Sequence, residues 1–212
     1  MTQQQDHLET ISEIRSLMER SSRFISLSGL SGVFAGIFAL IGATAAYIYF
    51  NLSLTSPRYY EYAVNDHGES NTNFYIFFFI NAICVLTASI AVGSFLTIRK
   101  AKAANQPIWD NTAKRLLINL IIPLITGGLF CLIMIFHGFV GMVAPAMLLF
   151  YGLALVNASK YTLSDVRYLG ICEIILGLIA GVYVGYGLIF WAAGFGILHI
   201  IYGAIMYFKY EK

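Results

Sequence analysis

Two ionisable side chains stand where hydrocarbon is expected. Glu173 falls in the apolar run 166–185 and His199 in the run 188–208, and a tight turn, Gly185-Tyr186-Gly187, joins the two. Glu173 is six residues past Arg167, which at about 1.5 Å per helical residue puts it about 9 Å inside the polar boundary. His199 is ten residues from Lys209 and so nearer the middle. A carboxylate in lipid is costly, so Glu173 must face other helices, hold a proton or find a partner. The chemistry this suggests is loading and release of a proton or cation, with His199 as the partner group. The structural alternative is a glutamate that fixes helix packing by hydrogen bonds, helped by Asn119 or Asn157 at similar depth. Asn81 is a third amide within an apolar run. For His199 taken alone, a neutral core imidazole with one hydrogen bond is the expectation.

A third candidate chemistry is nucleophilic. Gly29-Leu30-Ser31-Gly32 resembles the G-x-S-G of rhomboid intramembrane proteases, which have six core helices and a histidine in the last. That resemblance implies a Ser31/His199 dyad and intramembrane hydrolysis. It covers four residues only. In rhomboids the serine lies on the fourth helix, whereas Ser31 lies on the first, and the histidine-x-x-glycine spacing is absent because His199 is followed by Gly203. The family is therefore not assigned, and an enzyme ranks third among the function classes. The same stretch has a second reading. Ser28, Gly32 and Gly36 recur every four residues, a small-residue face that lets two helices approach closely.

These residues need helices to carry them. The chain is 58% hydrophobic and 11% charged, with mean hydropathy +0.74. A soluble domain has about 25% charged residues, so this composition requires a membrane. Six apolar runs at 24–50, 74–98, 115–136, 139–157, 166–185 and 188–208 predict an all-α bundle of six transmembrane helices. Residues 1–23 form a polar segment ahead of the 24–208 membrane domain, and 209–212 form a short tail. Leu8, Ile11, Leu17 and Met18 alternate there with Glu9, Glu13, Arg15 and Glu19 at helical spacing, which predicts an amphipathic helix over 8–20. Pro123 and Pro145 fall inside the third and fourth runs and predict kinks. Gly127-Gly128, Gly141/Pro145 and Gly194/Gly196 permit local distortion, but packing is the favoured role. Asp110, Asn111 and Thr112 are caps for the third helix, and Thr162 with Asp165 fits a capping box for the fifth.

Charge sets the orientation. With six spans, every one of the 13 Lys and Arg residues except Arg58 falls on one side. The positive-inside rule then puts both termini in the cytoplasm, in the inner or plasma membrane. Trp109 is an interface anchor in the basic loop between the second and third runs. Net charge of +2 and the lack of a basic stripe argue against nucleic acid. Cys84, Cys131 and Cys172 all lie in apolar runs and read as small hydrophobes. Asp66, His67 and Glu69 read as solvated loop residues rather than metal ligands, and no cofactor motif occurs. Gly36-Ile37-Phe38-Ala39-Leu40-Ile41 resembles Gly128-Leu129-Phe130-Cys131-Leu132-Ile133, and Tyr151-Gly152 matches Tyr202-Gly203, which suggests one helical hairpin used three times. The leading function class is permeation or proton-coupled transport of a small solute or ion. The candidate binding residues are Glu173, His199, Asn119, Asn157 and Asn81. The rival is a non-catalytic membrane subunit that binds a partner protein at the cytoplasmic face, and an oligomer is compatible with either.

Overall fold

A computed structural model describes residues 27–52, 58–65, 67–105 and 107–212. The amphipathic segment expected over 8–20 lies outside the described residues, as does Asp66. The described chain is helical throughout, its one extended feature being the bridge Val64–Ser70. The helices are α1 (Gly29–Tyr49), α2 (Thr72–Ala103), α3 (Asn111–Phe136), α4 (Val143–Ala158), α5 (Asp165–Val182), α6 (Gly187–Trp191) and α7 (His199–Tyr210). A π-helical segment, Ala192–Leu198, joins α6 to α7 in one continuous rod. Short 3-10 segments precede α4, α5 and α6.

Among the described residues five stretches are long and apolar enough to cross a membrane: Gly29–Tyr49, Thr72–Ala103, Asn111–Phe136, Val140–Tyr161 and Val184–Tyr210. They match five of the six expected runs. The remaining one is α5, which has 18 residues and contains Asp165, Arg167 and Glu173. Its first turn is polar and its apolar part is interrupted by the glutamate, so its charged residues set it apart from the other five. Membrane helices satisfy their own backbone groups, and the ends need separate closure. Asn71 caps α2 and Asp110 caps α3, each side chain accepting from the backbone N–H three residues on. α1 and α3 close with Schellman-type turns in which Asn51 and Gly138 take positive φ. Pro145 is the third residue of α4, in the first turn, where an amide N–H has no helical partner to lose. The kink expected from it is therefore replaced by a helix start. At the head of α5, Ser164 makes no side-chain cap, and the Asp165 carboxylate is taken across the bundle by Lys209 and Tyr210.

Packing divides the helices into two units, each tightened by glycine. In the first, α1 lies against the final rod. A Cβ at Gly29 would strike the backbone of Gly203 and Tyr207, one at Gly32 would come within 3.2 Å of the Gly203 Cα, and one at Gly36 would strike the Gly196 carbonyl. The expected Ser28/Gly32/Gly36 face thus has the last helix as its partner. α2 packs on the other side of α1, where the Asn81 amide donates to the Gly42 carbonyl at 3.2 Å. In the second unit α4 and α5 cross with Gly152 and Gly170 facing each other backbone to backbone. α3 packs outside α4, with Gly127 under Phe150. Consecutive helices α2 and α3 thus belong to different units, although only the 104–110 loop joins them.

The two units meet along a seam, where α6, the π segment and α7 face α4 and α5. At one end the seam is closed by an apolar cluster that includes Phe50, Tyr59, Phe74 and Leu188, with the Tyr59 hydroxyl donating to the Val140 carbonyl. At the other end, which carries the basic residues, Lys209 ties to Asp165 at 3.0 Å. The chain end closes the first unit there. Glu211 accepts from the Gly29 amide and the Ser28 hydroxyl at the open start of α1, and Lys100 of α2 lies 3.4 Å from the same carboxylate.

Candidate functional site

Glu173 and His199 come together at the middle of the seam. Glu173 is 0% exposed and His199 6%. α5 carries Glu173 on the face that also buries Leu169, Gly170, Gly177 and Ala180, so the carboxyl points into the bundle and not to lipid. Its Oε1 lies 3.4 Å from His199 Nδ1. That distance fits an ion pair but not an aligned hydrogen bond, and neither carboxyl oxygen has a hydrogen-bond partner among the described residues. The ring nitrogen gives its hydrogen elsewhere, to the Gly194 carbonyl at 2.9 Å.

The bonding pattern fixes the tautomer of the imidazole. A carbonyl only accepts, so Nδ1 carries the hydrogen. Nε2 lies 2.7 Å from the Tyr151 hydroxyl of α4. In the neutral ring Nε2 is the acceptor, so Tyr151 donates to it. A line of groups therefore runs across the seam from Tyr151 through His199 to Gly194, with Glu173 beside its last member. Phe195 stacks along the ring of His199 and tilts against Tyr151, which holds the imidazole in place.

Glycine makes room for the carboxyl. The side chains of Glu173, Leu148 and Leu176 converge on the Cα of Gly194, and a Cβ there would collide with the first two. Leu148 is 0% exposed. The surroundings of the acid thus include two leucines, a glycine Cα and one edge of an imidazole. Nearer the basic end, Cys172 on α5 and Tyr202 on α7 are in contact at 3.6 Å. The titratable groups of the seam are spread along it from Tyr151 to the Asp165–Lys209 pair.

The other candidates go elsewhere. Asn157 donates to the Asn119 carbonyl and ties α4 to α3, while the Asn119 amide turns back to Arg115 within its own helix. Asn81 ties α2 to α1. Asn81 and Asn157 hold helices together, the Asn119 amide stays within its own helix, and none of the three is hydrogen-bonded to Glu173. Ser31 donates to the Ser28 carbonyl, and its Cβ faces Gly93 of α2. No hydrogen bond links Ser31 to His199 among the described residues. All three cysteines are free thiols.

Two contributors to the site were not singled out for it from the sequence. In the sequence Tyr151 stands out only for its match to Tyr202, and Gly194 reads as a packing residue. The Gly194/Gly196 pair does pack, Gly196 against Leu40, yet it also lies in a π-helical distortion, the alternative that the glycine pair permits. No family model, curated protein or solved structure matches this chain. What the site does must follow from its geometry.

Proposed function

We propose that this protein moves a small solute or an ion across the cytoplasmic membrane, with Glu173 as the group that loads and unloads a proton. In this reading all six apolar stretches cross the bilayer, α5 included, and both termini lie in the cytoplasm with the basic loops. α5 can carry its three charged residues because Asp165 and Arg167 sit at its polar end and Glu173 faces protein. The observation that carries the reading is the fully buried carboxyl of Glu173, without a hydrogen bond among the described residues and 3.4 Å from the His199 ring, at the seam between two glycine-packed units. A glutamate kept only to fix packing would be bonded, because an unsatisfied buried polar group costs about 1–3 kcal/mol or more. Intramembrane ionisable groups that bear such a cost mark proton and ion paths. The surroundings favour the proton over a metal ion. Hard cations need several oxygen ligands, about six for magnesium or calcium, and here a single carboxyl faces leucine and glycine. In this reading movement occurs at the seam, since the helices within each unit are held backbone to backbone at glycine contacts.

The test is proton flux into liposomes under an imposed pH gradient, wild type against Glu173→Gln at matched folded protein. Gln is close in shape to the protonated acid, so the fold survives and flux falls at least tenfold. Flux that persists unchanged in Glu173→Gln removes Glu173 from the mechanism, and no wild-type flux across several ions and gradients removes transport.

A second reading is a non-catalytic subunit that binds a partner protein. Asn81 and Asn157 favour it, because both are used up in ties between helices instead of lining a path. Under this reading Glu173→Gln leaves assembly with the partner intact, whereas charge reversal in the basic 99–115 loop abolishes it in a pull-down from native membranes.

A further inference from the structure

We propose that the Nδ1–H of His199 is a two-position donor that couples the charge on Glu173 to the helical register of Ala192–Leu198. It holds the Gly194 carbonyl while Glu173 is neutral and moves to Glu173 when the carboxyl is ionised. The inference rests on reading Glu173 as a proton-loading group and says how loading becomes movement.

Three observations carry it. First, one nitrogen faces two acceptors, Gly194 O at 2.9 Å and Glu173 Oε1 at 3.4 Å. A small tilt of the ring exchanges them. Second, the competition depends on charge. A neutral acid leaves the hydrogen with the carbonyl. A buried carboxylate without a partner is far more costly than a carbonyl that loses one bond, and a charge-assisted hydrogen bond is about twice as strong as a neutral one. Third, the competing carbonyl belongs to a π-helical segment, five residues before His199. Such segments are rare and occur mostly at functional sites. In π register a carbonyl takes the backbone N–H five residues on, here that of His199, so the imidazole bond to Gly194 O is a second hold on that register. Without it the α-helical alternative, the N–H of Leu198, competes on better terms. Ionisation of Glu173 therefore favours conversion of this turn from π to α.

The conversion turns α6 against α7. At 3.6 residues per turn, a one-residue change of register is a rotation of about 100°. α6 is a seam element: Gly187 faces Ala144 of α4, and Leu188 belongs to the cluster that closes the seam. A change at one carboxyl is thus delivered to the contact between the two units. No covalent bond to hydrogen in the ring is broken. The proton passes from Glu173 to bulk water on the receiving side of the membrane, the imidazole stays neutral, and only its hydrogen bond moves. The titratable groups facing the pair are Tyr151 of α4 on Nε2 and, on α5, Cys172 next to Glu173, with Tyr202 of α7 against the thiol. The charged Asp165 and Lys209 are paired with each other at the basic end. Tyr151 donates to Nε2 in both positions and so acts as the pivot.

The experiment uses the full chain in liposomes, with His199 as the only histidine (His7, His67 and His137 replaced by Gln). Cys84, Cys131 and Cys172 are replaced by Ala, and spin labels are placed at Ile189→Cys and Ile205→Cys. Nitrogen-15 signals of the ring and the 189–205 distance are recorded from acid to alkaline pH. Both should change with a common midpoint, the distance by several ångströms, and in Glu173→Gln both should stay at their acid values. A distance that stays fixed while the ring signals change overturns the proposal, as does any change of distance that persists in Glu173→Gln. If Glu173→Gln does not fold, the wild-type correlation alone decides. Proton flux measured on the same liposomes separates the two ideas: flux with a static distance sinks the switch and leaves transport, whereas a moving distance without flux does the reverse.

Discussion

Glu173 is held by what surrounds it rather than by what it bonds. Its carboxyl fills the space left by the missing side chain of Gly194, between Leu148 and Leu176. Gly194→Ala should therefore destabilise the protein by about 1–3 kcal/mol, the usual cost of overpacking a core. The loss should be smaller in a Glu173→Ala background, since the colliding carboxyl is gone, and a thermal-melting cycle in detergent measures that coupling. Equal losses in both backgrounds would mean that the Gly194 contact lies elsewhere. At this scale half of the site was legible in the sequence. A charge within an apolar run identifies itself by its cost, which is why Glu173 and His199 stood out. Tyr151 did not, because a tyrosine among leucines reads the same whether its hydroxyl faces a neighbour or the membrane surface. The three asparagines are ambiguous in another way: each is half-buried, and an amide satisfied by a helix backbone looks, in sequence, like one facing a path.

Among the elements, glycine spacing decides which helices touch. The face of α1 at Gly32 meets the Gly203 backbone, so Gly32→Leu should push α1 off the final rod and lower the melting temperature far more than Leu30→Ala, which only trims a half-buried side chain. Equal tolerance in a detergent melt would mean that Gly32 faces lipid. The face itself could be read from the sequence. Its partner could not, since Gly203 lies more than 170 residues away in the chain and apolar periodicity carries no information about which helix is opposite. The π segment was hidden for a related reason. Two glycines at Gly194 and Gly196 permit either close packing or a local change of register, and tertiary contacts choose between them. The Glu211 closure of α1 was also missed, because a capping residue is sought just ahead of its helix and this one arrives from the opposite end of the chain.

For the whole molecule, six apolar runs and the one-sided distribution of basic residues gave the helical class and the expected orientation. The orientation has a direct check. In intact cells Lys102→Cys, on an exposed stretch of the basic end, should react with a membrane-impermeant thiol reagent only after the membrane is opened, while Arg58→Cys reacts from outside. Labelling of Lys102→Cys in sealed cells would invert the topology. The division into two units with a seam was not legible, because α2 and α3 are neighbours in sequence and part company in space. That division makes the central claim testable: the proton passes Glu173 only if the units can move across the seam. Gly187 and Ala144 face each other there, and a Cβ at Gly187 would lie 3.2 Å from the Ala144 Cβ, near the Cβ separation of a disulfide, about 3.5–4.5 Å. The deciding measurement is proton flux in liposomes for the pair Ala144→Cys and Gly187→Cys in a background without the native cysteines. Oxidation should bring flux down at least tenfold, and reduction should restore it. Full flux through protein that is completely cross-linked would contradict the account.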